Sequence, residues 1–268
     1  MISSIPIIAN SNITTLLYYT IMTTVRYLLI DGNIGAGKST LIKEYLIDVL
    51  SIHYHVIVLD EIIPHKELNR FYEWLDTRDG PCPAYDLESR FQQMREQQLK
   101  DCIDDTKLIQ QFYSIMASSE YKPYRDMPKD IIVIIDRSII GNMAFAFNDM
   151  TSGYLSRKQW FELWTQFNKS EFISLFSEPD ESVIGIYLDC SIDVLLQRIN
   201  SRNPNVDEET KIQPEYLARI DDAHKLMYRF FGIKPIIIVN GRQSHLKDIA
   251  DSIADIVNEK WSNTDALL

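Results

Sequence analysis

Gly32-Asn33-Ile34-Gly35-Ala36-Gly37-Lys38-Ser39 fits the spacing G-x-x-x-x-G-K-[ST], and no other stretch limits the fold of this chain as tightly. A loop of this kind turns its backbone N–H groups inward around phosphate oxygens, with Lys38 supplying positive charge and Ser39 a hydroxyl ligand for Mg²⁺. It works between a buried strand and a helix whose N-terminus faces the anion. Both flanks are present. "VRYLLI" (25–30) reads as a buried strand, and "KSTLIKEYLIDVL" (38–50) repeats Leu41, Tyr45 and Val49 at helical spacing. Gly32, Asn33, Ile34, Gly35, Ala36, Gly37, Lys38, Ser39 and Thr40 are therefore expected to cradle a nucleotide's phosphates.

Four further apolar runs read as buried strands: "HVIVLD" (55–60), "DIIVIID" (130–136), "SVIGIYLD" (182–189) and "KPIIIVNG" (234–241). Strands alternating with helical stretches predict an α/β fold, a five-stranded parallel sheet with helices on both faces and ligands at the carboxyl ends of the strands. With 268 residues, 46% of them hydrophobic, the chain is expected to form one domain over 25–262. Residues 1–24 hold no Lys or Arg and only short apolar runs, so they read as a flexible extension rather than a targeting or membrane segment, and Met22 is an alternative start. A net charge of −11 argues against a nucleic-acid polymer or an anionic membrane as partner. Cys82, Cys102 and Cys190 lack metal-ligand spacing and are odd in number, as expected of reduced thiols in the cytosol.

Polar residues just after the strands are the candidate site. After the second strand stand Asp60 and Glu61; either carboxylate could accept a proton from an attacking hydroxyl, and a solvated pair capping the next helix is the plainer alternative. After the third stand Asp136-Arg137-Ser138, where the carboxylate can hold Mg²⁺ and the arginine can stabilise a transferring phosphoryl group. A helix cap with an incidental ion pair would look the same.

Together "DGNIGAGKST" (31–40), Glu61, "SRFQQMREQQL" (89–99), "DRS" (136–138) and "LLQRINSR" (195–202) leading into "DEETKIQPEYL" (207–217) resemble the deoxynucleoside kinase family, including thymidine and deoxycytidine kinases. The resemblance implies a P-loop kinase fold with a helical lid, ATP as co-substrate, Mg²⁺ as cofactor, and a homodimer. It implies Glu61 as general base toward a nucleoside 5′-hydroxyl, Arg137 and Lys38 as the charges around the transfer, and Asp136 with Ser39 near the metal. Gln92 corresponds to the glutamine that bonds the base edge, with Phe91 beside it. Glu209, with Glu208 as rival, aligns with the lid carboxylate on the sugar 3′-hydroxyl, and Tyr72 or Tyr85 with the tyrosine that shares it. Arg198 and Arg202 resemble lid arginines that close over ATP. On the helix starting near Asp86, Glu88, Gln92, Arg95 and Leu99 form one stripe beside Leu87, Phe91 and Met94, and such a stripe is most often merely solvated.

The chain departs from the family where Ile62 and Lys66 replace a proline and a tryptophan, and where Asn203-Pro204 interrupts the lid motif. Leu99 and Asn142 stand where members favouring cytosine or purines carry an arginine and an aspartate. That suggests a pyrimidine, thymidine first, as acceptor, with Arg95 as the threat to this expectation. A nucleoside monophosphate kinase such as thymidylate kinase is the nearest alternative. A nucleotide-binding switch is another, since "NKSE" (168–171) approaches a guanine-reading motif, although it falls in a helical stretch rather than after a strand.

Overall fold

The structure, a computed structural model, describes residues 24–117, 130–170, 172–173, 182–201, 212–241 and 245–262. β1 (Val25–Gly32) leads through the glycine loop into α1, which runs Lys38–Leu41, then a π-helical segment Ile42–Leu46, then Ile47–Leu50. β2 (His55–Leu59), α2 (His65–Thr77), α3 (Ala84–Ala117), β3 (Ile131–Asp136), α4 (Ile139–Thr151) and α5 (Arg157–Phe167) follow. β4 (Val183–Asp189), α6 (Ile192–Ser201), α7 (Pro214–Phe230), β5 (Ile236–Val239) and α8 (Leu246–Ser262) complete the order.

All five strands join one sheet in the order β2-β3-β1-β4-β5, and every pairing is parallel. Parallel neighbours need helical crossovers, and these cover both faces. Side chains alternate accordingly. Leu28, Ile30, Ile132, Ile134 and Ile186 pack with Leu41, Leu46 and Val257 on one face. Tyr27, Leu29, Ile131, Val133 and Ile135 pack with Leu99, Ile140, Phe167 and Tyr228 on the other. The expected α/β fold and its five strands are thus present.

Strand order, more than composition, positions the site. β2 and β4 lie on opposite sides of the β1–β3 pair, so the chain leaves in different directions after β1 and β3 and opens a crevice at their carboxyl ends. The β1–β3 register pairs Ile30 with Asp136 and brings the glycine loop beside the Asp136-Arg137-Ser138 turn.

Two local expectations change. The buried stripe of α1 is Leu41, Ile42, Leu46 and Leu50, with Tyr45 and Val49 only half-buried, because the wider π turn rotates the helix face. Of "NKSE", Asn168, Lys169 and Ser170 lie in the turn after α5, which ends at Phe167 with Asn168 as its cap, and Glu171 lies outside the described residues. Still no strand precedes it. Of the stretches expected to form the lid, residues 202–211, with Arg202, Glu208 and Glu209, lie outside the described residues, as do residues 1–23 of the extension expected over 1–24. Among the described residues no helix is long and apolar enough to cross a membrane.

Candidate active site

The phosphate loop is shaped by close approach. A Cβ on Gly32 would stand 2.9 Å from the Leu188 carbonyl oxygen, and Gly37 caps α1 at φ 88°, a left-handed backbone that favours glycine. Asn33 anchors the loop to α7 by donating to the Leu217 carbonyl at 2.7 Å. Lys38 is buried and donates to the carbonyls of Gly32 (3.1 Å) and Asn33 (3.2 Å), so its ammonium sits within the loop. Burial and the Arg137 charge push its pKa down to about 8, against the pull of Glu61, Asp136 and Asp31.

Arg137 carries the strain of the site. Its φ of 59° lies in the left-handed region, sparsely populated for any side chain but glycine. The turn is held from β1: the Asp31 carboxylate accepts from the Ser138 backbone N–H (2.8 Å), the Ser138 hydroxyl and the Tyr228 hydroxyl (2.7 Å). Ser138 in turn caps α4 by accepting from the N–H groups of Ile140 and Gly141. A Cβ on Gly141 would come within 2.7 Å of Asp31 Oδ1 and 3.2 Å of Arg137 Cγ. Because Asp31 is locked by three donors, Gly141→Ala is expected to cost about 1–3 kcal/mol of stability, as overpacking does, and to lower the transfer rate by displacing Arg137. A urea midpoint and kcat both equal to wild type would refute this brace.

Arg137 Nε makes an ion pair with Glu61, and its side chain lies at 4.6 Å from the Phe145 ring centroid. Glu61 lowers to a pKa of about 2: burial pulls upward, but the charges of Arg137 and Lys38 and the Arg137 hydrogen bond outweigh it. Asp60 instead faces outward and pairs with Lys43 at 2.9 Å. Arg137 Nη1 is buried and has no partner among the described residues. Ser39 donates to Asp136 Oδ2 at 2.5 Å, while Asp136 Oδ1 is buried without a partner there. A hydroxyl beside a carboxylate with a spare oxygen suits a hard dication that keeps most of its waters; among the described residues no group of three or more His, Cys, Asp or Glu could hold a metal by itself.

Next to this machinery lies a partly open cavity of about 90 Å³. Ile34, Glu61 and Arg137 line its transfer end, and Phe71, Tyr72, Phe91, Phe145 and Tyr216 supply aromatic walls. Glu88, Asn142 and Asp149 line it as well. Of the expected substrate residues, Glu61, Tyr72, Phe91, Arg137 and Asn142 meet here. Tyr85 lines a separate surface groove with Lys66 and Arg70, and Gln92 is buried without lining the cavity. Arg95 braces the strand ends instead, donating to the carbonyls of Asp60 (3.1 Å) and Asp136 (2.9 Å). Arg198 is held against the glycine loop, donating to the Ala36 carbonyl (3.2 Å), the Asn240 side-chain oxygen (3.1 Å) and the Gly241 carbonyl (3.4 Å). Glu88, Asp149, Asp31, Phe145 and Tyr216 were not singled out as site residues in the sequence; Asp149 could have been noticed as a carboxylate inside the apolar run "MAFAFND" (143–149).

A family model described as deoxynucleoside kinase matches residues 28–264. The chain belongs to the deoxynucleoside kinase family. It is an ATP-dependent phosphotransferase that takes deoxynucleosides as acceptors. Structures of deoxyadenosine kinase from M. mycoides share its fold. The form with bound dCTP is 18% identical with a TM-score of 0.59, and the form with bound dATP is 19% identical with a TM-score of 0.57. The form with products dCMP and a flexible dCDP is 17% identical with a TM-score of 0.58; each comparison covers 87% of this chain and 99% of the other.

Proposed function

We propose that this deoxynucleoside kinase moves the γ-phosphoryl group of Mg²⁺-bound ATP to the 5′-hydroxyl of an uncharged deoxynucleoside held in the cavity beside Glu61 and Arg137. One observation carries the acceptor: at the transfer end of the cavity the Glu61 carboxylate is paired with Arg137, and among the described lining residues there is no second cation to hold an acceptor's phosphate. An acceptor already bearing a phosphate would meet repulsion there, which disfavours a nucleoside monophosphate kinase. The switch reading has only "NKSE" behind it, and Asn168 to Ser170 follow a helix rather than a strand. Equal turnover of a nucleoside and its monophosphate would overturn the proposal.

The protein's own groups act by position and charge. Glu61 accepts a hydrogen bond, then the proton, of the 5′-hydroxyl. Lys38 and the unengaged Nη1 of Arg137 stabilise charge on the moving phosphoryl group. Ser39 and Asp136 would hold Mg²⁺, which when bound neutralises phosphate charge. A homodimer and a cytosolic setting remain part of the proposal, supported by the family resemblance and cysteine usage.

The thymidine expectation rests on Leu99 and Asn142 standing where other members carry a charged pair. Asn142 lines the cavity, whereas Leu99 is fully buried in the core and is not among the lining residues, so the apolar contact expected of it is not supported.

Lys38 gives a test of nucleotide binding that does not depend on turnover. With its pKa near 8 in the empty loop, about half the ammonium is neutral at pH 8. Phosphates favour the charged form. Binding of MgATP at pH 8 is therefore expected to take up a fraction of a proton, and almost none at pH 6.5. Calorimetry in buffers of different ionisation enthalpy measures this; equal uptake at both pH values would contradict it.

A further inference from the structure

We propose that the Glu88 and Asp149 carboxyls read the nucleobase and select one that carries an exocyclic amino group, as cytosine, adenine and guanine do, over thymine and uracil. This rests on the kinase reading above and names the acceptor class of the same cavity.

The two carboxyls come from different helices, Glu88 from α3 and Asp149 from α4, and both line the cavity. They are 6% and 2% exposed. Among the described residues the Glu88 carboxyl makes no hydrogen bond, and the Asp149 carboxyl accepts one, from the Asn148 amide at 3.5 Å. Two buried carboxyls side by side without a cation are costly to keep, unless something in the cavity meets them. The lining cation, Arg137, attracts Glu88 but hydrogen-bonds Glu61 through Nε and neither of these two carboxyls.

Their position suits the base rather than the sugar hydroxyl that reacts. Arg95, at the strand ends, and Glu88 are seven residues apart on α3, roughly 10 Å of helix rise. Asp149 lies near the far end of α4 from Arg137, roughly 15 Å along that helix from Ile139. A nucleoside with its 5′-hydroxyl at Glu61 points its base away from the strand ends, toward this pair and between the aromatic walls.

Counting donors and acceptors gives the selection. Burial and mutual repulsion raise Glu88 well above the usual carboxylate range and, chiefly through burial, Asp149 to about 7. Near neutral pH the pair therefore holds a proton and offers one O–H donor and several acceptor oxygens. An amino group brings two N–H donors, and in cytosine and adenine the adjacent ring nitrogen accepts the O–H; in guanine the ring N–H adds a third donor. Thymine and uracil offer a single N–H between two carbonyls; the O–H can serve one carbonyl, but the ionised carboxylate meets one donor fewer than an amino group supplies. Sites built to hydrogen-bond a group discriminate strongly against analogues lacking it.

Deoxycytidine and deoxyuridine differ only at this edge, so they make the cleanest comparison. Wild-type kcat/KM is expected to favour deoxycytidine over deoxyuridine by about 10²-fold or more. In the double variant Glu88→Gln, Asp149→Asn the ratio should collapse to within about tenfold, mainly through KM. Asp149→Asn alone should shrink it part of the way, which covers the case of a double variant that does not fold. Equal use of both nucleosides by wild type, or an unchanged ratio in the folded variants, would overturn the assignment. Calorimetric binding of the two nucleosides separates this from the activity itself. Discrimination in binding without phosphate transfer would defeat the kinase reading and uphold the base reading; transfer to both alike would do the reverse.

Discussion

Lys38→Ala is expected to abolish measurable phosphoryl transfer while leaving the fold intact. The ammonium is preorganised: it is buried, held by the Gly32 and Asn33 carbonyls, and needs little rearrangement to meet phosphates entering the loop. Losing one such preorganised charge costs at least about 10²-fold in rate in comparable sites. Loss of the charge also removes repulsion from Arg137, so the empty protein should not be destabilised by charge alone. Steady-state kinetics with a thermal melt checks both parts. A folded variant with near wild-type kcat would show that the loop does not serve as the phosphate cradle.

Glu61→Gln is expected to lower kcat by roughly 10² to 10⁴, with KM for the nucleoside changed much less. The variant keeps shape and removes the base. In the empty site Arg137 holds Glu61 at about 2, which would make it a weak base. On the proposed mechanism, phosphate charge competing for Arg137 would let the Glu61 pKa rise as the reaction begins; until then the ion pair keeps the carboxylate ionised. The sign is fixed by the depressed value. Glu61 stays ionised from neutral pH down through 4.5, and its contribution to stability is lost only as pH falls toward about 2. No acid limb in kcat/KM between pH 5 and 7, the profile that reports the free enzyme, should therefore come from this group. Asp60→Asn, on the exposed pair with Lys43, should leave kcat within about twofold, since such pairs contribute little. If Asp60→Asn causes the loss and Glu61→Gln does not, the roles are reversed.

The two carboxylates after β2 show where sequence reasoning stops. Both are adjacent, both follow the same strand, and nothing local separates them. Arg137, 76 positions later, chooses Glu61 by forming the buried ion pair, and Lys43 on α1 takes Asp60 outside. The stripe on α3 tells the same story with a different outcome. Its polar residues would suit a solvated face, yet Glu88, Gln92 and Arg95 are buried because α4 and the strand ends lie against that side. Leu99 belongs to the stripe and still ends in the core, two turns past the cavity.

What the sequence determined by itself were features whose physics is local. The loop spacing specifies phosphate-facing N–H groups, apolar runs specify buried parallel strands, and alternation with helices specifies a covered sheet, so the family was legible before any coordinates. Only the tertiary structure decided which side chains share a cavity. The π turn in α1, the strained Arg137 held by Asp31, and the Glu88–Asp149 pair each depend on neighbours distant in sequence. Burial, ion pairing and steric approach act across space, and periodicity along one segment carries no record of what will pack against it.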